Sequence, residues 1–168
     1  MIVLSILAVT ACSTTPAPKP VEQANENIVL IESIEELGLE ADESNRGVLI
    51  YLPKLSFAFN SAVLSGEAQS KLVYIARLCN SEVAENRYIV VVGHADSIGD
   101  EAYNVNLSRR RAEGVAADLG KLGVDVGRIT TEWYGEKKPI IPNSFSDGKD
   151  NPEGRAANRR VEIVVLNP

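Results

Sequence analysis

The chain has one histidine, two cysteines and only 5% aromatic residues, and each shortage removes a class of function. Metal centres draw on several ligands, and neither cysteine stands where it can join His94 in one. A nucleophile–histidine–acid relay needs a serine or cysteine in league with that same residue, and the sequence offers none. Two cysteines cannot build a disulfide framework, and Cys12, after an apolar run, shares no context with Cys79, inside a periodic one. A net charge of −6 with so few stacking rings argues against a nucleic-acid binder. Arg109, Arg110 and Arg160 read mainly as solvated or structural charges. Gly93 and Gly99 are followed by no phosphate-loop lysine, and the acidic side chains are abundant rather than paired for glycoside hydrolysis. No internal repeat is visible. Neither catalysis, nor a cofactor, nor a metal is expected.

What is present fits one domain with short appendages: 168 residues, 45% of them hydrophobic. Residues 1–11, MIVLSILAVTA, are uncharged and almost wholly apolar, yet short of the ~20 residues that cross a bilayer. They read as the apolar part of a secretory signal, although no Lys or Arg follows Met1. Val9-Thr10-Ala11-Cys12 resembles the bacterial lipobox, in which the cysteine is acylated and becomes the new N-terminus. Ser13 in the next position implies, by the same resemblance, sorting to the outer membrane. Residues 12–27 include STTPAPKP, whose prolines favour an extended tether. Residues 28–46 are acidic and open to two readings, a strand from Ile28 to Ile31 or a short helix through Ile31, Ile34 and Leu37 ended by Gly38.

The globular pattern begins at residue 47 and runs to 168. Val48 to Leu52 is a strand stopped by Pro53, and Leu55 to Phe59 a second, with Phe57 and Phe59 on one face. Ser65 is placed to cap a helix reaching Asn80, whose inward stripe is Ala68, Leu72, Ile75 and Cys79. That stripe makes Cys79 a buried small hydrophobe. Tyr88 to Val92 is a β-branched run, as in a strand covered on both faces. A second helix spans Glu101 to Leu122, with Leu107, Val115, Leu119 and Leu122 inward and Gly123 beyond its end. Ile129, Thr131 and Trp133 alternate along the next strand. Asn151-Pro152-Glu153 opens a short helix, and Val161 to Leu166 closes the chain. The order ββαβαβ(α)β predicts an α+β sandwich of two layers, a mixed sheet with helices on one face.

Chemistry concentrates between Gly93 and Ala112. Asp96 follows the carboxyl end of the buried strand. Asn104, Ser108 and Arg111 lie on the following helix, where residues seven apart differ by only ~20° around the axis. Asn104 and Arg111 therefore share a face. If that face looks back at the strand end, a carboxylate and a forked guanidinium line one pocket, complementary to a zwitterion. An ordinary loop–helix ion pair accounts for the same spacing.

Gly93-His94-Ala95-Asp96, Gly99, and Asn104-x-x-Leu107-Ser108-x-x-Arg111-Ala112 strongly resemble the OmpA-like peptidoglycan-binding domain. The resemblance runs from about Gly47 to the C-terminus. It takes in Phe57-x-Phe59, Trp133-Tyr134-Gly135-Glu136 and Glu153-Gly154-Arg155-Ala156-Ala157-Asn158-Arg159-Arg160. It implies non-catalytic binding of the free amino-acid end of diaminopimelate in the peptidoglycan stem, by Asp96 and Arg111. Asn104 and Arg159 map onto supporting positions and Leu107 onto a wall. Two departures are Ala95 for Thr, which removes a hydroxyl near the ligand, and Asn60 for the commoner Asp after Phe-x-Phe. The implied partners are peptidoglycan and, through acylated Cys12, the outer membrane, with the domain facing the periplasm. A second expectation, from the similarity to the peptidoglycan-associated lipoprotein, is an adaptor for Tol-type periplasmic proteins. The ligand-free pocket is expected to be open to water.

The lipid anchor is testable by itself. Cys12→Ser is expected to leave the protein soluble in the periplasm or uncleaved in the inner membrane, read by fractionation. Retention in the outer membrane with unchanged detergent extraction would rule the anchor out. Stable anchoring implies more than one chain, since a single acyl chain holds only marginally.

Overall fold

The computed structural model describes residues 20–52 and 64–168, with side chains from residue 26 of the first segment. Cys12, Asn60 and the strand expected over Leu55 to Phe59 lie outside the described residues. The elements are α1 (Pro20–Glu35), β1 (Glu40–Ser44), β2 (Gly47–Leu52), α2 (Gly66–Cys79) and β3 (Ile89–Gly93). They continue with α3 (Glu101–Lys121), a 3-10 turn (Val126–Arg128), β4 (Ile129–Trp133), α4 (Pro152–Asn158) and β5 (Val161–Leu166). The strands form one sheet in the order β1-β2-β5-β3-β4. Every neighbouring pair is antiparallel except β3 and β4, which run parallel because α3 carries the chain back across the sheet. This is the mixed two-layer α+β architecture that the element order implies.

Strand periodicity divides the sheet into two faces. Val48, Ile50 and Leu52 of β2, Val161, Ile163 and Val165 of β5, and Ile89 and Val91 of β3 turn towards the helices. There they meet Ala68, Leu72, Ile75 and Cys79 of α2 and Val115 and Leu119 of α3 in one core. Ser65 caps α2 as its position predicts, accepting from the Ala68 amide at 3.2 Å. Gly123 follows α3 in the left-handed region, at φ 93°. Leu122 departs from its expected inward place: it caps α3 and stands 38% exposed. Burial raises the Cys79 thiol to about 12, so it serves as packing and not as a nucleophile.

The acidic stretch left open by the sequence is part of this core. It folds as α1 followed by β1, so the helical reading holds, and Gly38 ends it at φ 69°. The helix begins at Pro20, inside the span read as tether. Leu30 and Ile34 are buried against the sheet, and Ala41 of β1 joins them. Arg87, itself buried, fastens α1 to the domain: it donates to Asn27 Oδ1 and Glu26 Oε2, each at 2.6 Å. Asn27 in turn donates to Glu43 on β1 at 2.9 Å and to Asn167 beyond β5 at 3.1 Å.

The opposite face of the sheet is smaller and mixed. Leu49, Val164 and Val90 lie side by side across β2, β5 and β3, with Val92 beside them. All of β3 is buried, as its β-branched run predicts. His94 borders this face, 2% exposed, stacked on Tyr134 at 5.8 Å with Nε2 3.4 Å from Glu162. Burial lowers its proton affinity from the ordinary value, and Glu162 offsets this only in part.

Two measurements test this packing. Ile34→Ala is expected to lower unfolding free energy by about 2–5 kcal/mol in urea titration, the range for emptying a core site. Ile28→Ala, on the exposed side of the same helix, is expected to change it by less than ~0.5 kcal/mol. For His94 the unfolded chain takes up the proton first, because the folded pKa is the lower. The stability from the neutral ring is therefore present above about pH 6.5 and lost as pH falls towards the folded value. His94→Asn is expected to flatten the dependence of the thermal midpoint on pH just below 6.5; an unchanged slope would assign it to other groups.

Candidate functional site

The site is built where β3 ends. Gly93, its last residue, is pressed against α3 so closely that a Cβ there would overlap the Ser108 carbonyl oxygen. Ser108 is fully buried and locks the junction, its hydroxyl accepting from the Gly135 amide at 3.0 Å and donating to Val105 O at 2.9 Å. The chain then leaves β3 along a fixed course. His94 N donates to Arg160 O at 3.0 Å and Ala95 N to Gly135 O at 2.8 Å. The starts and ends of the three neighbouring strands thus set the position of Asp96. Ala95, where the resemblance puts a hydroxyl near ligand, is itself buried.

Asp96 is held at several points. Its Oδ1 accepts from the Ile98 amide at 3.1 Å, and its carbonyl from Asn104 Nδ2 at 3.0 Å. The same Asn104 amide donates to Glu136 at 2.7 Å. Asn104 is thus a buried strut between the loop after β3 and the loop after β4. Leu107 and Arg111 are buried on the same helix face.

Asp96 Oδ2 is the remaining acceptor, and it pairs with Arg159 Nη1. Arg155 Nη1 stands 4.0 Å from the same oxygen, while Arg155 Nε donates to Asp150 at 2.7 Å. Arg111 lies close enough to feel both groups. Burial and then the Arg159 charge lower its proton affinity, and Asp96 pulls it back up. The end of β3 therefore gathers one carboxylate and three guanidiniums, from the loop after β3, from α3, and from α4 and its C-terminal cap.

α4 is held in register by asparagines. Asn151 caps it, accepting from the Gly154 amide at 3.0 Å, and donates to Pro142 O at 2.9 Å. Asn158, fully buried, accepts from Ile140 N at 2.9 Å and donates to Ile141 O at 2.7 Å and Asn143 Oδ1 at 2.9 Å. The long loop after β4 is thereby bound to the helix that delivers Arg155 and Arg159.

Of the residues singled out in the sequence, Asp96, Asn104, Leu107, Arg111 and Arg159 converge here; Asn60 lies outside the described residues. The pair is not open to water as expected: Asp96 is 7% and Arg111 4% exposed. The partner of Asp96 in the ion pair is Arg159, which the resemblance puts in a supporting position. Arg155, Glu136 and Asp150 were missed. The four-residue spacing of Arg155 and Arg159 was the available signal, since it puts both on one helical face. Among the described residues no cluster of three His, Cys, Asp or Glu is arranged to hold a metal ion. In chemical terms these groups bring one acceptor and several donors together, already desolvated.

A model of the OmpA family matches residues 56–153. The outer-membrane lipoprotein YfiB of Pseudomonas aeruginosa is 34% identical over 161 residues, covering 95% of this chain and 87% of its own. Outer membrane protein A of Bordetella avium is 42% identical over 110 residues, 66% of this chain and 53% of its own. Among solved structures, the peptidoglycan-associated lipoprotein of Burkholderia pseudomallei aligns with a TM-score of 0.55 at 28% identity, over 66% of this chain and 86% of that one. The chain spans between 14% and 53% of the length of the first curated relatives it matches. Motif spacing, sheet order and these likenesses agree, and the chain belongs to the OmpA family.

Proposed function

We propose that this domain binds peptidoglycan without reacting with it, by receiving the free amino-acid end of diaminopimelate in the stem peptide. The observation that carries the reading is the convergence of Asp96 with Arg111 and Arg159 at a buried strand end. An ammonium finds its counter-charge at Asp96, and a carboxylate is gripped by the fork of Arg111. Asn104 holds the Asp96 loop, Leu107 walls the pocket, and Arg159 and Asn60 support the ligand. The family and the lipoprotein relatives support the same reading. With Cys12 acylated, the domain ties the outer membrane to the wall from the periplasmic side.

Sedimentation with purified sacculi, with and without free diaminopimelate as competitor, tests this. Asp96→Asn removes the counter-charge of the ammonium, and Arg111→Lys keeps the charge but loses the fork. Each is expected to weaken binding by roughly 2–5 kcal/mol, as when one side of a buried charge contact is truncated. Because Asp96 is buried and paired, Asp96→Asn is also expected to lower the thermal midpoint, so binding is scored on folded protein. Normal sedimentation by either folded variant, or no competition by diaminopimelate, would reject the assignment.

A further inference from the structure

Asp96 is paired with a cation of the chain itself, and this constrains how any ammonium can reach it. Its Oδ1 is committed to the Ile98 amide and its Oδ2 to Arg159. An ammonium drawn to the charge of Asp96 meets the Arg159 guanidinium already lying against Oδ2, with Arg155 4.0 Å from the same oxygen, and competes with Arg159 for it. The Arg159 side chain is the more accessible of the pair, 21% exposed against 10% for Asp96, so it is the group with room to leave. Its departure does not expose Asp96 to an uncharged wall, because Arg155 remains 4.0 Å away, anchored by Asp150.

We infer that Arg159 is a displaceable latch on Asp96: a ligand's ammonium takes its place on the carboxylate, and the freed guanidinium turns onto the ligand's carboxylate beside Arg111. The inference rests on the amino-acid-end reading of the pocket and names the exchange by which the pocket selects that end. The Arg159 charge acts against that of Arg111, and a carboxylate reached by both offsets that repulsion. A ligand with an ammonium alone breaks the Asp96–Arg159 pair and leaves Arg159 without a new acceptor. A ligand with both groups breaks it and supplies one. The latch therefore rejects plain amines, which a bare aspartate would accept, so Arg159 determines specificity by what it blocks as well as by what it binds.

Propylamine and α-aminobutyrate differ by one carboxylate on the same carbon skeleton and separate the two effects. Binding to the purified chain is read by amide chemical-shift titration around Asp96. The wild-type chain is expected to bind α-aminobutyrate and to bind propylamine at least ~10-fold more weakly. Arg159→Gln is expected to bind propylamine more tightly than wild type does, and α-aminobutyrate more weakly. Arg159→Lys, which keeps a cation on Asp96, is expected to keep propylamine binding weak and guards against misfolding of the glutamine variant. Unchanged propylamine affinity in Arg159→Gln would make Arg159 a simple carboxylate contact. Equal weakening of both probes would make it structural. Either result overturns the latch. Failure of the wild-type chain to bind free diaminopimelate would instead reject the underlying site assignment.

Discussion

Gly93 sets the distance between β3 and α3, and the site follows from that distance. With no side chain at this position the helix backbone lies directly on the strand end. Ser108 then reaches the Gly135 amide, and Asn104, one turn earlier, reaches the carbonyl of Asp96. A helix held farther off would still pack Val115 and Leu119 into the core. It would not bring a buried amide, a buried guanidinium and a strand-end carboxylate to one point. Side chains on rigid elements are positioned more tightly than those on loops alone, and here even the loop residue is fastened to the helix.

The core was legible because its elements obey simple periods. The stripe from Ala68 to Cys79 and the β-branched run before Gly93 each predict one buried surface, and both are buried. The acidic start was not legible for a physical reason. Glu40, Asp42 and Glu43 have poor strand propensity, and β1 exists because it pairs with β2 at the sheet margin, where charges discourage further pairing. Helix α1 shows only a narrow apolar face, and Ile28 and Val29 blur it by facing outwards. What fixes α1 is Arg87, far away in sequence, whose partners no local pattern reveals.

The site divides the same way. Spacing on one helix shows that Asn104 and Arg111 share a face, because that is local geometry. Arg159 comes from another helix, and its bond to Asp96 depends on where the loop after β4 sets α4. That loop is positioned by Asn151 and Asn158, whose side chains complete the backbone hydrogen bonding of an irregular segment. Asn151 is legible as the residue that opens α4, but its bond to Pro142 is not, and nothing local marks Asn158 as a buried link to the loop.

The Arg87 clamp also has a mechanical meaning. Tension applied to the chain before Pro20 enters the domain at the first turns of α1, and among the described side chains Glu26 and Asn27 are the first anchored ones it reaches. The load passes through Arg87 into the segment just ahead of β3, and through Asn27 into β1 and the end of the chain beyond β5. The apolar contacts of Leu30 and Ile34 lie deeper along the helix and are shielded until those bonds yield. The load is thus shared by three parts of the sheet ahead of Leu30 and Ile34. The pocket, at the carboxyl end of β3, lies at the other end of that strand from the point of entry.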